Sequence, residues 1–384
     1  MLRIALVAHH VAPISPPFGG GVESLTWYLA RWLAERGHDV VLHAPPGSEV
    51  PGVELRELEL APRLSEAARA DVSMPPDAFM SAHHAYQRLM LELAEDRRID
   101  LVHSHSLHYL PVAMASLLAA PMLLTLHTPP TPWLESALRA HRAAGGGAPR
   151  LSAVSPATRA LWADVVDVPD VVVNGVDLDA WPCGPGGDAA VWFGRIVPEK
   201  APHLAINAAR EAGLALRLAG PVIDRAYFDA EVAPRLGDDA VHVGHLDHVA
   251  LAELVGASRV ALLTPVWDEP FGLAAAEAIA CGTPVAGFAR GGLPALVGEA
   301  GGRLVPGSSP AALAVAALEA ASLPRPGVRA HAEAALGIEA MGRGYEALYE
   351  RMVPRRVRAR RRFVVAPARA PVGAAAAAAA AGVA

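Results

Sequence analysis

Two successive runs of short apolar segments alternating with helical ones, parted by a Gly- and Pro-rich stretch, constrain this 384-residue chain more than any other feature. In the first run Leu2–Ala8 reads as a strand and Pro13–Gly21 as an irregular loop. Val22, Leu25, Leu29, Trp32 and Leu33 then recur at helical spacing until Gly37 stops the helix ahead of a strand at Asp39–His43. Asp100–His103, Met122–His127, Ser152–Val154 and Val171–Val173 read as further strands, with Leu110–Ala119 helix-like between the first two. Leu64–Met80 fits neither pattern and reads as an irregular or partly helical insertion. In the second run Ala190–Phe193, Leu216–Ala219, Val241–Val243, Val260–Leu263 and Thr283–Ala286 are strand-like, and Pro202–Ala212, Val249–Ala257 and Gly272–Ala280 are helical. Crossovers long enough to hold a helix make parallel sheets. The expected organisation is therefore two α/β domains, 1–173 and 189–335, joined by a linker at 174–188. A helical segment at 336–353 follows, and its periodicity does not choose between the second domain and a return to the first.

Composition excludes several alternatives. No apolar run is long enough for a membrane span, and Met1–Ala8 lacks a signal-peptide pattern, so a cytoplasmic protein is expected. Two cysteines, Cys183 and Cys281, make neither a disulfide framework nor a metal cluster. A formal charge of −6 argues against a nucleic-acid partner. Arginines gather at Arg351 and from Arg355 to Arg362, where a solvated helix end is the plain reading and contact with an anionic membrane surface the alternative. The tail, 354–384, turns from basic to Ala/Pro/Gly-rich and is expected to lack fixed packing.

Candidate chemistry sits where strands give way to helices. Gly19-Gly20-Gly21 precedes a helix, where backbone amides can face an anion and no Cβ blocks its approach. The triplet is not GxGxxG, so a dinucleotide-binding assignment has no support. Arg195 and Lys200 follow the strand Ala190–Phe193, and one loop carrying a planar fork and a compact ammonium suits a diphosphate. Glu269 and Glu277 stand seven residues apart across a Pro270 turn and Gly272. A carboxylate on that helix can accept hydrogen bonds from both hydroxyls of a ribose.

Taken in order, these pieces resemble the retaining glycosyltransferases of family 4. Pro17-Phe18-Gly19-Gly20-Gly21-Val22-Glu23 resembles that family's glycine loop. Asp100–His105 and Thr125-Leu126-His127 resemble its first-domain strand ends, and Asn174-Gly175-Val176-Asp177 its entry to the linker. Phe193–Lys200 resembles its phosphate segment, Glu269–Glu277 its E-x7-E motif, and Gly291-Gly292-Leu293-Pro294 continues the pattern. The resemblance implies a GT-B fold of two Rossmann-like domains around a donor cleft, no cofactor or metal, and a nucleotide sugar plus an unidentified acceptor as partners. It further implies that Arg195 and Lys200 bind the donor diphosphate with amides near Gly20 and Gly21. Glu277 would bind the ribose, Glu269, Phe271, Gly272 and Leu273 the donor sugar, and His127 would lie close to the reacting sugar, with His103 and His105 as weaker candidates. Two positions depart from the family pattern: Ala201 follows the lysine where glycine is usual, and Ala295 stands where an acid is common. A weakened nucleotide-sugar binder or a phosphorylase of related architecture are the competing expectations; a nicotinamide oxidoreductase ranks below them for want of its phosphate loop.

Overall fold

In the computed structural model, which describes residues 1–60, 77–144 and 148–353, the two expected parallel sheets are present. The first is seven-stranded in the order β3-β2-β1-β4-β5-β6-β7. Its strands are β1 (Arg3–Val7), β2 (Asp39–Ala44), β3 (Glu54–Glu57), β4 (Leu101–Ser104), β5 (Met122–Leu126), β6 (Arg150–Ala153) and β7 (Asp170–Val171). The second is six-stranded in the order β10-β9-β8-β11-β12-β13. It comprises β8 (Ala190–Phe193), β9 (Leu216–Ala219), β10 (Ala240–His242), β11 (Val260–Leu263), β12 (Val285–Phe288) and β13 (Gly302–Val305). Every ladder is parallel, with Ile4 opposite Val40 on one side and Leu101 on the other. Central strands such as β5, β8 and β11 are buried along their whole length, which is why they read as continuous apolar runs. In each sheet the strand order reverses direction beside the first strand of its run, and such a switch point opens a crevice at the carboxyl ends.

The helices that matter for the site are α1 (Gly21–Glu35), α2 (Asp77–Glu95), α3 (Leu110–Ala113), α4 (Pro132–Ala144), α5 (Pro156–Trp162), α6 (Pro202–Glu211), α7 (His248–Gly256) and α8 (Leu273–Ala280). Four more follow: α9 (Leu293–Gly301), α10 (Pro310–Ala320), α11 (Arg325–Ala335) and α12 (Ile338–Met352). The last of these settles what periodicity left open, because α12 packs on the first domain. Met341, Tyr345, Leu348 and Tyr349 share a core with Ile4, Leu29, Trp32, Leu33 and Leu101. Gly342 lies against the Trp32 ring, where a Cβ would come within 2.4 Å of it. Two chain crossings therefore join the domains, and they pair: Val176 donates to the Leu336 carbonyl and Ile338 to that of Val176.

Several elements differ from the sequence reading. Leu110–Ala119 is one short helix and a 3-10 turn, with Leu117 left exposed. The strand expected at Thr283–Ala286 begins at Val285, since Pro284 has no amide hydrogen for the ladder. β3, β13, α4, α9 to α11 and the part of α2 beyond Met80 had no assignment; α10 is so rich in alanine that it shows little periodic contrast. Most of Leu64–Met80, the arginines from 355 to 362 and the alanine-rich tail lie outside the described residues, although 77–80 open α2. No helix among the described residues is long and apolar enough to cross a membrane.

Candidate functional site

The carboxyl ends of both sheets face one cavity of about 540 Å3. Gly20, Gly21 and His127 line it from the first domain; Arg195, Lys200, Glu269, Phe271, Gly272, Leu273 and Glu277 line it from the second. Ten residues spread over 258 positions thus meet in one place. His103 does not join them. It is fully buried between Tyr349, whose hydroxyl lies 2.6 Å from Nδ1, and Thr125, 2.8 Å from Nε2, so it anchors α12. His105 lies behind the cavity wall with its Nδ1 3.0 Å from His127 Nε2. Burial holds His127 down at about 3, so at neutral pH it is an uncharged hydrogen-bonding group.

On the second domain Phe193 ends β8, and the chain turns through Arg195 to a 3-10 turn at Pro198–Lys200. Lys200 Nζ lies 2.5 Å from Glu269 Oε2, which also accepts from Trp267 Nε1 at 3.1 Å. The ammonium lies over the Trp267 ring, 5.4 Å from its centroid. Arg195 is freer: its guanidinium is 3.9 Å from Glu199 and 44% exposed. Ala201 then takes φ 44° and ψ 51°, the left-handed turn that glycine adopts without cost, and leads into α6. For alanine that conformation costs about 1–2 kcal/mol, a strain carried next to Lys200. The Thr264 hydroxyl holds the turn by donating to the Lys200 and Ala201 carbonyls at 2.8 and 3.0 Å.

Glu269 and Glu277 occupy a loop and the helix behind it. Gly272, at φ 101°, caps α8, whose Ala275, Ala276, Ala278 and Ile279 face the core and leave Glu277 toward the cavity. Burial pushes the Glu277 carboxyl up to about 7. Gly291 packs where a side chain has no room, because a Cβ there would overlap the Glu269 carbonyl. The Gly292 amide donates to the same carbonyl at 2.7 Å. Ala295 is exposed on α9 and does not line the cavity. Its departure from the family pattern therefore leaves the cavity wall unchanged.

The glycine loop has a second reason for its composition. A Cβ on Gly21 would stand 2.7 Å from Leu273 Cδ1, so the start of α1 and the start of α8 meet across the domains. Glu23 lies in the same wall, buried, its carboxyl raised by desolvation and pulled back toward ionisation by Arg195. Trp181, His248, Trp267 and Thr264 also line the cavity and were not singled out in the sequence. Only Trp267, two residues before Glu269, had a positional signal.

Residues 19–180 match the family model described as Glycosyltransferase Family 4, and residues 186–334 the model described as Glycosyl transferases group 1. A D-inositol 3-phosphate glycosyltransferase of Mycolicibacterium smegmatis is 30% identical over 360 residues, covering 79% of this chain and 80% of the relative. One of Mycobacterium tuberculosis is 30% identical over 349 residues, covering 77% and 70%. Among solved structures, sucrose-phosphate synthase from Thermosynechococcus elongatus superposes with a TM-score of 0.73 at 22% identity, covering 91% of this chain and 99% of that one. The Anabaena protein HepE, in complex with UDP and glucose, superposes at 0.71 with 16% identity, covering 91% and 100%.

Proposed function

This chain belongs to glycosyltransferase family 4 and has the GT-B fold, and from that premise we propose that it transfers a sugar with retention from a nucleoside-diphosphate donor to an uncharged alcohol or thiol. The observation that carries the donor half is the meeting of Arg195, Lys200, Glu269 and Glu277 in one cavity opposite Gly20, Gly21 and His127. Arg195 and Lys200 hold the diphosphate and take up the charge that grows on it as the glycosidic bond breaks. Lys200 must first exchange its Glu269 partner for phosphate, which frees Glu269 to accept from the donor sugar. Glu277 accepts from the ribose hydroxyls. The acceptor approaches the face that the diphosphate leaves, and a departing phosphate oxygen takes the acceptor proton, so no protein carboxylate need act as nucleophile. Compensation by two side-chain cations makes the reaction independent of a metal ion.

The acceptor half rests on the opposite wall. Among the described residues its cavity-lining side chains include His9, Val11, Ala12, Phe18, Leu107 and His127, but neither arginine nor lysine. Burial lowers His9 to about 4 and His127 to about 3, so neither imidazole supplies a positive charge at neutral pH. The mycobacterial relatives are named for D-inositol 3-phosphate. A phosphate dianion placed against this wall would meet no cationic side chain among the described residues, which favours a neutral acceptor here.

A screen of nucleotide sugars with paired neutral and phosphorylated acceptors tests both halves. Product mass and nucleoside diphosphate should appear together, without loss in EDTA, and with neutral acceptors ahead of inositol 3-phosphate. Arg195→Ala and Lys200→Ala should each lower transfer by about 100-fold or more. Wild-type rates in those two variants and in Glu269→Ala and Glu277→Ala would refute the donor site; preference for the phosphorylated acceptor would refute only the acceptor reading.

A further inference from the structure

The donor loop is held in part from the other domain. Ser155 caps the amino end of α5 in the first domain, its Oγ accepting from the Thr158 amide at 3.0 Å. The Ser155 hydroxyl donates to the Pro270 carbonyl at 2.5 Å, and the Thr158 hydroxyl donates to the same oxygen at 3.0 Å. Both side chains are buried, Thr158 fully. A peptide carbonyl has two lone pairs, so these hydroxyls fill the acceptor capacity of Pro270. Pro270 is the residue between Glu269 and Phe271, both on the cavity wall. The neighbouring Glu269 carbonyl is held from inside its own domain by Gly292.

We infer that Ser155 and Thr158 are positioning residues that couple domain closure to the donor sugar: only with the domains together do both hydroxyls reach Pro270 and set the Glu269–Phe271 turn. The inference rests on the reading of Glu269 as a donor-sugar contact. Separation of the domains deprives the Pro270 carbonyl of both donors, leaving the turn tied at Glu269 alone. An open enzyme then grips the nucleotide through Arg195, Lys200 and Glu277, all on the second domain, while the sugar contact stays loose. Closure orders that contact at the moment when the first-domain wall brings up the acceptor.

Hydrogen exchange in the presence of UDP, followed at the amides of 268, 269 and 271–273, tests this. Thr158→Val keeps the shape and the helix cap but deletes one donor. It should speed exchange of that turn about threefold to tenfold, as loss of a single net hydrogen bond would. UDP affinity should stay within about twofold, and Thr158→Ser should restore slow exchange. Ser155→Ala adds to the effect, and where it impairs folding Thr158→Val still decides. In transfer assays kcat should fall while KM for the donor holds. Unchanged exchange in Thr158→Val overturns the inference. So does a rise shared by the sheets of either domain, a matching loss of UDP affinity, or failure of Thr158→Ser to rescue, since each describes ordinary structural support. Failure of the wild-type protein to bind UDP or any other nucleoside diphosphate would instead count against the donor reading, with exchange in the free protein still judging the clamp.

Discussion

Lys200 is the chain's sole lysine; every other fixed side-chain cation is arginine. An ammonium is a compact charge that can leave one carboxylate for another anion without the two-point geometry of a guanidinium. That suits a group paired with Glu269 at 2.5 Å in the free protein and proposed to meet phosphate in the complex. It also makes the site chemically addressable. An amine-acylating reagent should modify only the amino terminus and Lys200, and peptide mapping should show the Lys200 adduct reduced about tenfold or more by saturating UDP. Glu269→Gln should raise labelling in the free protein by removing the partner. Equal labelling with and without a nucleoside diphosphate that the protein binds would place the diphosphate elsewhere.

At the scale of elements, α8 shows how much could be read in advance and how much could not. Its start at a Pro-Phe-Gly turn and the seven-residue spacing of the two acids were legible because local backbone chemistry writes them directly. The carboxyl of Glu277 near 7 was not legible, because burial is a property of the assembled fold, in which α1, α7 and the linker line the same cavity from far away in sequence. A ribose that donates to a carboxylate favours the ionised form, so UDP affinity should climb as pH rises toward about 7 and level off above it. Below that point the part owed to Glu277 should fall by up to tenfold per unit. The phosphate of UDP titrates over a similar range, so the diagnostic is the difference: Glu277→Gln should bind more weakly at about pH 8 and flatten the slope. A slope unaltered by that change would remove Glu277 from the ribose. The same division runs through the fold. Strand-helix alternation was visible as period and punctuation, whereas alanine-rich α10 was not, and the cross-domain bonds of Ser155 and Thr158 have no signature beyond an N-cap.

For the whole molecule, the return of α12 makes the first domain discontinuous in sequence. Residues 1–173 supply its sheet, but Met341, Tyr345, Leu348, Tyr349 and Val353 complete its core from the far end of the chain. Tyr349 and Tyr345 also bring hydroxyls to His103 and Thr125, buried groups that would otherwise lose partners. At about 1.5–3 kcal/mol for each large apolar side chain, their burial sums to roughly 7–15 kcal/mol, an upper estimate comparable with the entire stability of a domain. The second domain keeps its own core, with β8 and β11 packed among Val191, Phe193, Ala261 and Leu263. Removal of residues 338–384 should therefore unfold the first domain selectively. Limited proteolysis should cleave within 1–173 while 189–335 resists, and UDP should still bind, weakly, to the surviving second domain. A peptide spanning 336–353 added in trans should restore protection. Equal resistance of both domains after truncation would mean that α12 is an accessory to the first core.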